Sequence, residues 1–285
     1  MKTKKIGAII VTALILMTTL LAGCAGTTDK IAVISREDGS GTRGAFIELF
    51  GIEVKGEDGT KKDTTTKEAM IAKQTDVMMV SVAGDKSAIG YISLGSLNDT
   101  VKAVAVDGAA ATTDNVKNGS YKVSRPFVIA TKGDATEVAQ DFIDYILSSE
   151  GQAVVAKSYI AVSDSAPAYS GSKPSGKVVV AGSSSVTPIM EKLKEAYIKI
   201  NPNATIEVQQ SDSSTGLASA NSGTCDIAMS SRDLKEDELA TLTPINIAID
   251  GIAVIVNKEN TATDLSSEQI KGIFTGEITS WSELE

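Results

Sequence analysis

Residues 31–50 form the stretch that most constrains how this chain can fold. They begin with an apolar, β-branched run over residues 31–34, which predicts a buried strand. They end with residues 45–50, whose apolar side chains predict the inner face of a helix. The glycines of the intervening turn, residues 37–42, allow the backbone to turn tightly and to approach a ligand closely. The stretch therefore predicts a strand, a tight turn and the start of a helix.

This turn has the features of an anion site. The first N–H groups of a helix have no partner within the helix, and they attract anions. Arg36 adds charge and a planar fork of donors, and Ser40 and Thr42 can cap the helix or donate hydroxyl groups. An ordinary strand-to-helix turn explains the same residues, so this turn alone leaves both interpretations open.

The same pattern recurs at residues 183–187 and 211–216, where Ser/Thr/Gly turns again join a predicted strand to a predicted helix. Three such turns predict a dehydrated tetrahedral oxyanion that is surrounded by hydroxyl groups and helix-start N–H groups. Serine and threonine are also good N-caps in any helix, and this second explanation fits the pattern equally well.

Strands alternate with helices along the rest of the chain, which predicts an α/β fold with a parallel or mixed sheet. Residues 164–176 are rich in Pro, Gly and Ser and predict a flexible linker. Pro126 predicts an edge or crossing strand at residues 121–131. Further strands are predicted at residues 77–82, 88–94, 101–106, 178–181, 206–208, 224–229 and 245–257, and helices at residues 136–147, 189–197 and 268–274.

Composition excludes several functions. The 285 residues include no histidine, which excludes Ser-His-Asp and Cys-His catalysis and histidine metal sites. We expect no metal and no cofactor. The net charge of −9 becomes −12 without the three lysines of the first 23 residues. Such an acidic chain argues against nucleic acid or an anionic membrane surface as partner.

The N-terminus predicts export and lipidation. Basic residues precede an apolar stretch over residues 6–21, and the sequence Leu-Ala-Gly before Cys24 matches a lipobox. A plain signal peptide or a short membrane anchor is the alternative. We predict a signal peptide at residues 1–23, a lipidated Cys24 that starts a tether over residues 24–30, and a location on the outer face of the bacterial cell membrane. Cys225 then has no intrachain partner, and we expect it in the core.

Five segments resemble the phosphate-binding lipoproteins that feed ABC-type phosphate importers. They are AVISREDGSGTRGAF, VVVAGSSSVTPIMEKL, SGTCDIAMSSRDLK, AIDGIAVIVNKEN and LSSEQIKGIFTGEITSWSEL. The resemblance implies a two-lobed periplasmic-binding-protein fold of type II that closes on inorganic phosphate. It also implies a membrane permease as partner, and we expect a monomer without enzymatic activity. The implied phosphate-binding residues are Arg36, Asp38, Ser40, Gly41, Thr42, Ser184, Ser185, Ser213 and Ser231, with Asp38 holding Arg36.

The chain departs from the family pattern at one position of this site. Many members have an aspartate where this chain has Ser231, and that aspartate accepts the proton of hydrogen phosphate. We expect Asp38 to take part of this role, with Asp212 as a weaker substitute. We also expect Arg36 to be the only cation that touches the anion, because no other Lys or Arg lies inside a Ser/Gly turn.

The order of the segments is the second departure. The family has GSSSVTP near its N-terminus and SREDGSGT soon after WSEL, so this chain resembles a circular permutant. We expect one lobe at residues 127–250, with the linker inside it, and a split lobe at residues 31–122 and 255–285. Lys30 and Glu285 should then lie within roughly 20 Å of each other on the split lobe.

Two other functions stay open at this stage. A secreted serine-dependent phosphohydrolase would use the same Ser/Gly turns, but the sequence lacks a histidine or a nearby lysine as general base. A rearranged relative that folds without binding phosphate would keep the same motifs.

Overall fold

The computed structural model describes residues 29–56 and 60–284. The predicted signal peptide and Cys24 lie outside the described residues. Strands and helices alternate over the described part of the chain, and the predicted α/β class is confirmed. None of the helices described is long and apolar enough to cross a membrane.

Most strands belong to one mixed sheet with the order β10-β9-β11-β8-β12-β5-β1-β4, and β6 pairs with β12. Strand β9 is parallel to β10 and β11, and β1 is parallel to β4 and β5. Strands β8 and β12 run antiparallel to their neighbours. The strands are β1 (Ala32–Arg36), β2 (Glu53–Lys55), β3 (Lys61–Asp63), β4 (Met70–Ala72), β5 (Ala88–Ser93), β6 (Lys102–Ala103), β7 (Ala105–Val106), β8 (Ser124–Thr131), β9 (Gly176–Ser183), β10 (Ala204–Ser211), β11 (Ile227–Ser230), β12 (Thr243–Val256) and β13 (Asp264–Leu265).

Most of the helices described begin after an N-cap residue whose side chain accepts a hydrogen bond from the first turn. The Ser266 side chain accepts from the N–H of Gln269, whose side chain accepts from the N–H of Ser266, so the predicted capping box is present. The helices are α1 (Gly41–Leu49), α2 (Thr75–Gly84), α3 (Thr113–Lys117), α4 (Glu137–Leu147), α5 (Ser149–Val155), α6 (Thr187–Ile200), α7 (Ser213–Ser222), α8 (Glu236–Leu239) and α9 (Ser267–Thr275).

The two-lobed architecture is confirmed by separate hydrophobic cores. One core draws on residues 127–248, and we call the part around it lobe A. The other draws on residues 31–123 and 252–274, and we call the part around it lobe B. Cys225 is buried, with an exposed fraction of 7%, in a smaller cluster beside β9 and β11, as expected for a core residue.

Strand β12 joins the two lobes. It pairs with β8 from Thr243 to Gly251, and from Ile252 onward it pairs with β5. Pro126 in β8 faces Ile249 of β12, before the pairing of β8 with β11 begins. The proline nitrogen therefore lies where β8 has a free edge on its other side, in agreement with the predicted crossing strand.

The linker has no helix or strand between residues 164 and 175, but it is fixed to lobe A. The Tyr169 hydroxyl donates to Asp141 Oδ2 at 2.6 Å, and the Tyr169 N–H donates to Glu150 Oε2 at 2.9 Å. The Ser149 N–H donates to the Pro167 carbonyl at 2.8 Å. The prediction of an irregular segment is therefore correct, whereas these contacts do not fit a flexible one.

The two ends of the described chain lie together on lobe B. The Trp281 N–H donates to the Asp29 carbonyl at 2.9 Å, and Lys30 forms an antiparallel bridge with Ser280. Ser282 donates to the Asp29 carboxylate through its N–H and its hydroxyl. Glu285 lies outside the described residues.

Candidate functional site

The three predicted Ser/Thr/Gly turns meet at the junction between the lobes. Thr42 Oγ1 lies 2.8 Å from Ser185 Oγ and 3.3 Å from Ser231 Oγ. Ser213 Oγ lies 3.4 Å from Ser231 Oγ. The hydroxyl groups at this junction are all buried, and we call them the hydroxyl cluster; it consists of Thr42, Thr75, Ser183, Ser184, Ser185, Ser213 and Ser231.

Four helices begin at the hydroxyl cluster. Thr42 lies in the first turn of α1, whereas Thr75 and Ser213 are the first residues of α2 and α7. Ser184 and Ser185 lie in the turn that leads into α6. The first N–H groups of each helix carry partial positive charge and lack intrahelical partners. The cluster is therefore surrounded by the positive ends of helices from both lobes.

Arg36 brings a full positive charge to the cluster. It is the last residue of β1, and its exposed fraction is 1%. Nε and Nη2 donate to the two oxygens of Glu37 at 2.9 and 2.8 Å. The same guanidinium reaches Ser184 Oγ at 3.0 Å and the Ala72 carbonyl at 3.1 Å. Because Ser184 belongs to lobe A, Arg36 spans the junction between the lobes, as expected.

The structure corrects the prediction that Asp38 holds Arg36. The Asp38 side chain is 96% exposed and pairs with Arg43, which also binds Asp63. Glu37 takes the expected place of Asp38, because it directly follows Arg36 and reaches two of its nitrogens at once. Asp38 therefore lies at the surface and not among the buried hydroxyl groups.

Ser40 and Gly41 shape the start of α1. Ser40 is the N-cap, and its side chain accepts from the N–H of Arg43 at 3.3 Å. A Cβ atom on Gly41 would lie 2.4 Å from Ser213 Oγ and 2.7 Å from Ser231 Oγ. Only glycine lets the backbone of α1 approach the hydroxyl groups of lobe A this closely.

The Asp212 side chain caps the start of helix α7. It is the N-cap of α7, and its two carboxylate oxygens accept from the N–H and the hydroxyl of Thr215 at 2.9 and 2.6 Å. The side chain therefore holds the start of α7, where a carboxylate is also favoured by the helix dipole. This position does not support the predicted role of Asp212 as proton acceptor.

Sequence reasoning missed Arg125 and Thr75. The structure brings both to the cluster, where Arg125 Nη2 donates to Thr42 Oγ1 at 3.0 Å and Arg36 Nη1 donates to Thr75 Oγ1 at 3.4 Å. Arg125 is thus a second buried cation beside the hydroxyl cluster, which the prediction of Arg36 as the only cation at the anion did not anticipate. The available signal was a charge in each of two apolar strands, Arg125 in β8 and Asp250 in β12, because opposite charges in buried strands are usually paired.

The Arg125–Asp250 pair is enclosed by protein. Arg125 Nη1 donates to Asp250 Oδ2 at 2.7 Å, and the Gly95 N–H donates to Asp250 Oδ1 at 3.1 Å. Burial raises the pKa of the Asp250 carboxyl group, and the adjacent positive charge of Arg125 opposes this shift.

The site has no evident place for a metal. Within residues 29–56 and 60–284, no three acidic or cysteine side chains come together in a way that could hold a metal ion. The donor set consists of hydroxyl groups, guanidinium groups and helix-start N–H groups, which suits an oxyanion and repels a cation.

Comparisons with known proteins agree with this chemistry. A family model described as a PBP superfamily domain matches residues 21–150 and 167–285. The phosphate-binding protein PstS 2 of Streptococcus agalactiae serotype V is 55% identical over 272 residues, with 93% of each chain covered. PstS 2 of Streptococcus pneumoniae serotype 4 is 45% identical over 257 residues, which cover 90% of this chain and 88% of that protein.

A solved structure extends the similarity to three dimensions. The crystal structure of a phosphate-binding protein of a phosphate ABC transporter from Streptococcus pneumoniae TIGR4 matches with a TM-score of 0.71 and 44% identity. The match covers 90% of this chain and 100% of that chain.

Proposed function

This chain belongs to the PBP superfamily and to the PstS family of phosphate-binding proteins, and we propose on that premise that it binds inorganic phosphate and delivers it to an ABC importer. The observation that carries the proposal is the buried hydroxyl cluster, which Arg36 and four helix N-termini surround at the junction of the lobes.

The donors suit a tetrahedral anion. Hydrogen phosphate has four oxygens around one centre, so it needs donors on all sides once it leaves water. Arg36, Ser40, Gly41 and Thr42 would bind it from lobe B through the guanidinium, hydroxyl groups and N–H groups at the start of α1. The groups that would bind it from lobe A are Ser184, Ser185, Ser213 and Ser231.

A serine-dependent phosphohydrolase is a weaker explanation of the same cluster. A serine nucleophile needs a general base within hydrogen-bond reach. Ser184 and Ser185, for example, contact only threonine hydroxyl groups and Arg36 through their side chains, in the part of the chain that the structure describes. None of these groups can take a proton from a serine, so binding without hydrolysis is the better proposal.

The cellular location of the protein follows from the same proposal. A protein that passes phosphate to an importer must work outside the cytoplasm, and lipidation of Cys24 would keep it beside the permease. We propose that the protein works there as a monomer. The location and the lipidation are inferred from the sequence, because Cys24 lies outside the described residues.

The division into lobes and the order of segments are also proposed. The separate cores and the β8–β12 crossing support one continuous lobe and one split lobe. The two PstS 2 relatives match about nine tenths of both chains and therefore share this order of segments. The permutation is proposed relative to the order that the sequence resemblance implies, and the contacts of Asp29 with Trp281 and Ser282 support it because they bring together the segments which that order connects.

Isothermal titration calorimetry with inorganic phosphate tests the function. We expect the wild type to bind phosphate without turning over p-nitrophenyl phosphate. Arg36→Ala removes charge-assisted hydrogen bonds to the anion and should weaken binding on the order of 100-fold. The matched control is Arg232→Ala, because Arg232 is also ion-paired but directs its charge to Glu238.

Two results would contradict the proposal. A wild type that releases no heat with phosphate would contradict the function. Arg36→Ala that binds within about threefold of the wild type would contradict the assignment of Arg36.

A further inference from the structure

Arg125 is a second buried cation at the hydroxyl cluster, and the family comparison gives it no role. Its exposed fraction is 4%, and it lies in β8 opposite Asp250 of β12, directly before β12 leaves β8 for β5. We propose that Arg125 is a second anion-binding residue, which donates to a tetrahedral dianion from the side where the two lobes are joined. The inference rests on the proposed function and adds a ligand to it.

Some N–H groups of Arg125 hold its side chain in place, whereas others point to the hydroxyl cluster. Nε donates to the Ser231 carbonyl at 2.9 Å, and Nη1 donates to Asp250 Oδ2 at 2.7 Å. Nη1 also donates to the Gly251 carbonyl at 3.2 Å. Nη2 is turned away from Asp250 and donates to Thr42 Oγ1 at 3.0 Å. A guanidinium has five N–H protons, so one proton on Nη2 remains for a further acceptor beside Thr42.

This arrangement parallels that of Arg36. Arg36 is fixed by a carboxylate, Glu37, and directs its remaining donors to Thr75 and Ser184 of the cluster. Arg125 is fixed by Asp250 and directs Nη2 to the same cluster. A purely structural ion pair has no need of a donor among buried hydroxyl groups, so the geometry favours a role in binding.

Charge indicates the class of ligand. Both guanidinium groups reach the hydroxyl cluster, Arg36 through Thr75 and Ser184 and Arg125 through Thr42, so two like charges face one buried site. Burial lowers the pKa of Arg125, the charge of Asp250 opposes this shift, and the like charge of Arg36 lowers the pKa further. An anion held between the two guanidinium groups would relieve their mutual repulsion, and a dianion such as hydrogen phosphate would relieve more of it than a monoanion would.

Arg125 also joins the two lobes through its contacts. Thr42 belongs to lobe B, whereas Ser231 follows β11 in lobe A. The guanidinium can therefore bind both only while the lobes are together. An anion that accepts from Arg125 would favour the same arrangement of the lobes.

A double variant separates binding from structure. Arg125→Met with Asp250→Asn removes both charges at once, and replacing a buried ion pair by neutral groups is often tolerated by the fold. We expect this variant to unfold at nearly the wild-type temperature and to bind inorganic phosphate about 10- to 100-fold more weakly in calorimetry. Arg125→Lys keeps the charge but not the fork of donors, and it should lose an intermediate amount.

The outcomes distinguish this inference from the proposed function. Wild type and Arg232→Ala should bind phosphate alike; if neither does, the proposed function fails. If both bind, and the double variant or Arg125→Lys binds as tightly as they do, Arg125 does not contact the anion and the inference is overturned. Should the double variant fail to fold, Arg125→Lys gives the decision alone.

Discussion

At the residue scale, Ser231 occupies the position where the resemblance implies an aspartate in many members of the family. Its side chain is fully buried, and its hydroxyl accepts from Ser183 Oγ at 2.9 Å. The nearby carboxylates of Glu37 and Asp250 are engaged by arginines, and Asp212 is engaged by the start of α7. A buried carboxylate that accepts the proton of hydrogen phosphate would repel fully ionised sulfate. None of these three carboxylates is free to do so.

We therefore predict weak discrimination between phosphate and sulfate in the wild type, below about tenfold. Ser231→Asp should raise the ratio of phosphate to sulfate affinity by about tenfold or more, because it adds the missing acceptor. Calorimetric titrations with each anion measure the ratio.

Asp38→Asn is the control for this experiment, because Asp38 is exposed and paired with Arg43. We expect it to leave the ratio unchanged. A lower ratio of phosphate to sulfate affinity in Asp38→Asn would support the original hypothesis that Asp38 accepts the proton of hydrogen phosphate.

The sequence predicted part of the site and missed another part for a physical reason. Arg36 and Ser184 were found because each lies in a local strand–turn–helix pattern. Arg125 lies in an apolar strand, and its partner Asp250 is 125 residues away in the sequence. Such a pair becomes visible only when the sheet order places β8 beside β12.

At the element scale, the prediction of a strand at residues 77–82 is wrong, because this run belongs to helix α2. Met78 and Val82 are fully buried, whereas Val80 is 73% exposed. The buried positions are four residues apart, as on one face of a helix, and not two apart, as in a strand. A short apolar run rich in valine does not distinguish the two structures by composition.

The contacts of the linker support a further prediction at this scale. Asp141 Oδ2 accepts hydroxyl hydrogen bonds from Tyr169 of the linker and from Tyr197 of α6, each at 2.6 Å. Tyr169→Phe removes one of these donors to a buried carboxylate and should lower the free energy of unfolding by about 1–2 kcal/mol. Urea denaturation measures the loss, and limited proteolysis should show faster cleavage near residue 170.

Tyr159→Phe is the matched control. The Tyr159 hydroxyl is buried beside the hydroxyl groups of Ser93 and Ser96 but makes no hydrogen bond of normal geometry among the described residues. Its removal should therefore change the free energy of unfolding by less than about 0.5 kcal/mol. Equal effects of the two substitutions would show that the Tyr169 hydroxyl does not help to hold the linker on lobe A.

At the scale of the whole molecule, the alternation of strands and helices was sufficient to predict the α/β class. The sequence also marked residues 164–176 as a break, and the structure places this break on lobe A. The joining of both lobes by one long strand was not predictable, because residues 245–257 read as a single apolar run with no sign of two partners.

The proposed permutation leads to the last prediction. Opening the linker at Ser172 and joining the ends near Asp29 and Leu284 would give the other order of segments, the one that the sequence resemblance implies. The join is short, because Ser282 donates to the Asp29 carboxylate and two further residues add at most about 7 Å. A flexible connection of about six Gly and Ser residues spans this distance easily.

We expect the reordered chain, which begins at Lys173 and ends at Ser172, to melt within about 5 °C of the original and to bind phosphate within about threefold. The stability and the phosphate affinity should be retained because the turns of the hydroxyl cluster stay inside intact strand–turn–helix units. A control with the same join but opened within β12, between Ile249 and Asp250, should not fold, because β12 pairs with both lobes. A reordered chain that fails to fold or to bind phosphate, while the original does both, would rule out the permutation.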